Sequence, residues 1–181
     1  HTDNRRQRQM CIRDRNYSPE SELSAIRTLI SKQVAGIVLT VSDAERSEGL
    51  SIIKDRRLPH CLLYNNTPVK HESWSVDDEA AAKRVAQAFS ENRHNQTGFL
   101  ALNFNKSDRA RQRYEGYCAG CIARGMNKPK LLEISEDFED LTLRLKLFLA
   151  ENPAITGIFA SNDFLALAII RSARKLALNV P

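Results

Sequence analysis

Apolar and polar positions follow two periods along the chain, and the clearest change from one to the other lies near its C-terminal end. Ile155 to Ala160 is a short, almost continuous apolar run that stops at Ser161-Asn162-Asp163. Beyond it the apolar positions recur at helical spacing through Leu165, Leu167, Ala168 and Ile169. That order predicts a buried strand running into a helix. Asp163 is placed to cap the helix by accepting bonds from its first N–H groups. Asn162 is left to face outward at the carboxyl end of the strand, where open α/β sheets bind ligands.

The same grammar repeats upstream. Ser18-Pro19-Glu20-Ser21-Glu22 combines a cap residue, a first-turn proline and acidic residues near the positive end of a helix dipole. Leu23, Ile26, Leu29 and Ile30 then give that helix one apolar face. Val34 to Thr40 reads as a buried strand, Ser42-Asp43 as the cap of a further helix with Leu50, Ile52 and Ile53 inward, and Leu58 to Tyr64 as the next strand. A long helix over 79–91, strands at 98–102 and 130–134, and a helix over 138–150 complete the series. Helices alternating with strands through short joints predict an α/β fold with parallel sheets built by right-handed crossovers.

Composition narrows the class. The 181 residues are 42% hydrophobic and 27% charged, enough for one or two domains with a real core. No apolar run approaches the roughly 20 residues of a membrane span, and the N-terminus lacks the apolar region of a secretory signal. With four cysteines, Cys11, Cys61, Cys118 and Cys121, at no bridging spacing, a cytoplasmic location is expected. The net charge of +5 would suggest nucleic acid, but residues 1–16 carry five arginines against Asp3 and Asp14, so the remainder is nearly balanced. Residues 1–17 show neither period and are read as a sequence artefact, against a solvated basic tail and an arginine-rich RNA-binding arm.

Specific motifs now add to this reading. Phe159-Ala160-Ser161-Asn162-Asp163-Phe164-Leu165-Ala166-Leu167-Ala168, with Ala173-Arg174-Lys175-Leu176-Ala177-Leu178 and Val180-Pro181 after it, resembles the effector-binding domain of the LacI/GalR family of bacterial transcription regulators. Other segments resemble that family in the right order: Gly36-Ile37-Val38-Leu39, Val76-Asp77-Asp78, His94 and Arg113-Tyr114-Glu115-Gly116-Tyr117. Two glycines usual in the family are missing, at Arg93 and at Ala177. Asn92 is the available substitute for a left-handed helix end at the first.

The resemblance implies a two-lobed fold like that of periplasmic binding proteins, with a partial first lobe over 18–104, a partial second lobe over 105–181, and both lobes incomplete. An incomplete first lobe is expected to expose an unpaired sheet edge, and an incomplete cleft to hold sugars weakly. The resemblance further implies a small-molecule effector of the sugar type, a homodimer, and operator DNA reached through a helix-turn-helix that this chain does not contain. Arg113 becomes the expected ligand contact, its planar fork of donors suiting paired hydroxyls or a carboxylate, and Gly116 is expected to pack against the sheet. Ser107 lies on a loop that also touches ligand in the family. Asn65 ends a strand where relatives place an acid or amide, although an Asn serving only a left-handed turn is equally consistent. Of Asp77 and Asp78, one caps the following helix and the other, taken as Asp78, rims the pocket.

Other chemistries find little in the sequence. His94 has no second His or Cys at ligand spacing. Cys118 and Cys121 lie inside a helix on small-residue positions, unlike a redox pair at a helix start. There is no glycine-rich phosphate loop and no Gly-x-Ser-x-Gly, so neither an enzyme nor a cofactor or metal is expected. The competing reading is a periplasmic sugar-binding protein of a transporter.

Overall fold

A computed structural model describes residues 18–67, 71–135, 138 and 140–180; the stretch 1–17 read as an artefact lies outside the described residues. The chain divides into two compact units between Val76 and Asp77.

The first unit contains α1 (Pro19–Ser31), β1 (Ile37–Leu39), α2 (Glu48–Asp55), β2 (His60–Leu63) and β3 (Ser73–Trp74). Its strands form a parallel sheet in the order β1-β2-β3. Ser18 caps α1 as expected, its hydroxyl accepting from Ser21 N at 3.3 Å. The cap of α2 is Ser47 and not Ser42-Asp43. Glu22 explains the shift, since its carboxylate accepts from Ser42 N at 3.0 Å and from the Ser47 hydroxyl at 2.5 Å, which ties the intervening loop to α1. Ile26, Ile37, Val41, Leu50, Ile53 and Leu62 form the core of this unit.

The second unit runs through α3 (Asp78–Glu91), β4 (Thr97–Leu102), α4 (Asp108–Ile122), β5 (Lys130–Ile134), α5 (Leu141–Glu151), β6 (Gly157–Ala160) and α6 (Asp163–Lys175), with a short 3-10 turn at Phe104–Lys106. Its parallel sheet has the order β5-β4-β6. All six residues of β4 are buried, because the strand is flanked by a neighbour on each side and by helices on both faces. Alternation assigns the faces. Phe99 and Ala101 pack with Ala82 and Ala86 of α3 and Tyr117 and Cys121 of α4. Leu100 and Leu102 pack with Leu145 and Phe148 of α5 and Leu165 and Ile169 of α6.

This topology corrects the expected lobe boundary. The strand at 97–102 was read as the last of the first lobe, with the division at 104/105, but it is the centre of the second sheet and the division falls at 76/77. Hydrophobic pattern marks a strand as buried without stating which sheet it joins, and α3, read with the first lobe, packs on α4.

Gly116 is corrected in the same way. A Cβ built there would lie 2.4 Å from the Glu79 carbonyl oxygen, and one at Gly120 would lie 2.8 Å from Ala86 Cβ. The two glycines, one helical turn apart, therefore let α4 approach the backbone of α3, not the sheet.

Candidate functional site

The close approach of α3 and α4 sets up the polar cluster of the second unit. Gly116 meets Glu79, so Arg113, one turn earlier on α4, comes beside Asp78, one residue earlier on α3. Arg113 Nε donates to Asp78 Oδ1 at 2.8 Å, and Nη1 donates to the Ser161 carbonyl. Asp78 is buried, while the Arg113 side chain keeps 31% of its surface exposed. The Ser161 hydroxyl in turn accepts from Leu102 N at 3.4 Å, which fixes the carboxyl ends of β4 and β6 to one another.

Arg113 thus reaches the peptide that joins Ser161 to Asn162, and the helix residue and the strand-end residue singled out in the sequence meet. Their roles differ in part from those expected. Asn162, not Asp163, caps α6, its Oδ1 accepting from Leu165 N at 2.8 Å. Asp163 is the exposed first residue of the helix. Extended backbone at Asn162, φ −156° and ψ 169°, is what lets its side chain fold back onto the first turn. The Asn162 Nδ2 and Arg113 Nη2 groups have no partner among the described residues, and both are donors.

Asp77 caps α3 through Ala80 N at 2.9 Å, which leaves Asp78 free for Arg113. Ser107 is 2% exposed and caps α4, its hydroxyl accepting from Ala110 N at 3.2 Å. Asn65, in the first unit, is fully buried; its Oδ1 accepts from Val41 N at 3.0 Å and its Nδ2 donates to Val41 O at 2.9 Å. The left-handed residue beside it is Tyr64, φ 66°, so Asn65 serves as a side-chain clamp on the backbone after β1. The structure therefore brings Arg113, Asp78 and Asn162 together and gives Ser107 and Asn65 buried backbone-holding positions. The Ser161 carbonyl was not foreseen; its place in the polar joint after β6 was the available signal.

The remaining titratable groups near α4 are packed. Burial pushes the Cys118 and Cys121 thiols above their ordinary value, against the lowering effect of hydrogen bonds from Tyr114 and Tyr117. That disfavours the thiolate a redox pair would need. Burial, reinforced by Cys118, pushes Tyr114 up to about 12, and Tyr117 rises further from the same first cause while bonding Thr97 Oγ1 at 2.9 Å. His94 shares a hydrogen bond with Thr156 Oγ1 at 2.8 Å. No three His, Cys, Asp or Glu side chains among the described residues are grouped as a metal would require. No helix among them is long and apolar enough to cross a membrane.

Residues 7–179 match the family described as periplasmic binding proteins and sugar binding domain of the LacI family. The chain belongs to that family. The match begins ahead of Ser18, so it enters the stretch 1–17 that the sequence pattern set apart. The chain is 25% identical over 178 residues to the HTH-type transcriptional regulator IdnR of Escherichia coli (strain K12), a match covering 96% of the chain and 52% of the relative. Its identity to the catabolite control protein A of Priestia megaterium is 22% over 169 residues, covering 92% of the chain and 51% of the relative. Among solved structures, the transcription regulator GntR from Chromobacterium violaceum shares the fold with a TM-score of 0.79 at 23% identity, over 96% of this chain and 64% of that one. The chain spans about half the length of the curated relatives it matches. The first of these relatives is named as a transcriptional regulator and the second as a control protein. Within this family member, two of the segments that carry the resemblance, the one holding Arg113 and the one holding Ser161 and Asn162, meet through the bond from Arg113 to the Ser161 carbonyl.

Proposed function

We propose that this chain is the effector-binding part of a bacterial DNA-binding transcription regulator, and that its ligand is a sugar or a similar small polar metabolite held at Arg113, Asp78 and Asn162. The observation that carries the reading is the contact of Arg113 with Asp78 and with the Ser161 carbonyl at the carboxyl ends of two parallel strands. Ligands of open α/β sheets bind at that position. Donors preorganised there gain affinity because little ordering remains to be done on binding. Ser107 and Asn65 then support neighbouring loops and do not touch the ligand.

In this account the protein is cytoplasmic and performs no chemistry on the effector. Effector binding shifts the population of two arrangements of the parent protein. Operator DNA is contacted by a helix-turn-helix supplied outside this chain, a reading supported by the names of the relatives. A homodimer is supported by apolar side chains on the outer face of α6, where Phe164 and Leu167 are 67% and 56% exposed. The two lie one turn apart on the helix, and a contiguous exposed apolar patch is one mark of a protein contact.

The family description also covers periplasmic binding proteins, and this favours one second reading, a solute receptor of a transporter. The reading frame upstream of the gene segment tests between them. A helix-turn-helix segment is expected there. A secretory signal in its place would overturn the regulator and establish the receptor.

A further inference from the structure

We infer that His60 and His71 form an acid-released latch that holds β3, the last strand of the first unit, onto β2. His60 Nε2 lies 2.8 Å from His71 Nδ1, with the ring centroids 5.1 Å apart. The other ring nitrogen of His60, Nδ1, lies 3.1 Å from the Leu58 carbonyl oxygen. A carbonyl only accepts, so Nδ1 carries a hydrogen and, in the neutral ring, Nε2 is left with a lone pair. His71 Nδ1–H therefore donates to it. Both ring nitrogens of His60 are thus taken, and neither partner is a carboxylate.

The number of protons on the pair decides whether the bond exists. One added proton leaves one ring donating to a lone pair on the other, and a charged donor strengthens such a bond. A second proton makes donors of both facing nitrogens, on two like charges, and the bond is lost. The closed form then holds fewer protons than the open form, so acid favours opening. Charged groups of both signs border the pair: Glu72 beside His71, Lys54, Asp55, Arg56 and Arg57 where α2 ends ahead of Leu58, and Lys32 where α1 ends. β1 is Ile-Val-Leu and brings none.

The element that the latch holds is small. β3 is two residues long and is tied to β2 by backbone bonds from Leu62 N to Glu72 O and from Tyr64 N to Trp74 O, each at 2.8 Å. His71 stands two residues ahead of it, and the chain passes from β3 to the division at 76/77. So short an edge strand opens easily, and one side-chain bond at its head is a large part of what fixes it.

The test is heteronuclear NMR of the full chain at about pH 7.5 and about pH 4.5, either side of the ordinary imidazole range. Trp74 is the one tryptophan of the sequence, so β3 has an indole signal of its own. On acidification that signal is expected to shift, and the protection of the Leu62 and Tyr64 amides against hydrogen exchange, relative to a free peptide at the same pH, to fall about tenfold, the worth of one hydrogen bond. The Ile37 amide, which bonds Pro59 O on the other side of β2, is expected to keep its protection. His71→Gln supplies an amide that donates or accepts as needed, so the acid response is expected to vanish with β3 attached at both pH values. His71→Phe does neither and is expected to leave Leu62 and Tyr64 poorly protected at both. An indole signal and amide protection that acid leaves unchanged in the unaltered chain, or an acid response that survives in both variants, overturns the inference. Loss of protection at Ile37 in step with Leu62 and Tyr64 overturns it too, since the whole first unit would then be unfolding and not the strand alone.

Discussion

Arg93 and Ala177 are two of the non-glycine residues held in left-handed backbone, which their side chains disfavour. Arg93 has φ 62° and Ala177 has φ 56°, each directly after a helix end. Both close with the bond pattern of a helix stop, His94 N to Phe89 O at 3.0 Å and Leu178 N to Ala173 O at 2.9 Å. The sequence marks both positions as lacking a glycine, yet Asn92, expected to take the strained conformation, has φ −89° and instead donates its amide to Ala88 O at 2.8 Å. Left-handed backbone costs a non-glycine residue roughly 1–2 kcal/mol. Arg93→Gly is therefore expected to raise the urea midpoint by the equivalent of about 1 kcal/mol, and a lowered midpoint would show that the arginine side chain matters more than the strain. At Asn65 the opposite sign holds. Val41 is buried, and Asn65→Ala would leave its N–H and C=O without their clamp at a cost of about 1–3 kcal/mol. Thermal unfolding measures this; an unchanged melt accompanied by lost ligand binding would return Asn65 to the ligand site.

The elements were legible to different depths. The strand at 130–134 has the bounds that its pattern predicts, and the helix over 79–91 begins one residue earlier, at Asp78. Caps were less legible, because Ser42, Asp43 and Ser47 are all competent and only the Glu22 carboxylate, 20 and 25 residues away, decides among them. The partner of α4 could not be read at all. A glycine announces close approach without naming the neighbour, and the neighbour is the Glu79 backbone. Gly116→Ala forces α3 and α4 apart, an overpacking effect of about 1–3 kcal/mol. Because the same contact sets Arg113 beside Asp78, the substitution is also expected to shift the Arg113 Nε–H resonance; a destabilised chain with that resonance unmoved would uncouple the helix contact from the site.

Over the whole molecule, the sequence showed which residues come together more reliably than what each of them does. Arg113, Asp78 and Asn162 stand on separate helices, yet all three carry motif signals and all three meet in the second unit. Ser107 and Asn65 carry comparable signals and hold backbone, since a polar residue at a strand end looks the same in sequence whether it faces a ligand or an orphan N–H group. The chain belongs to the family of periplasmic binding proteins and the sugar binding domain of the LacI family, and the proposed site is an account of how such a domain would hold a ligand. The most direct check is a titration of the chain with a neutral sugar while the backbone amides are followed by heteronuclear NMR. The largest shifts are expected at Asn162, Asp163 and Asp78 and in the first turn of α6, with Arg113→Met abolishing them. Shifts confined to the first unit, or unaffected by loss of the guanidinium, would contradict the account.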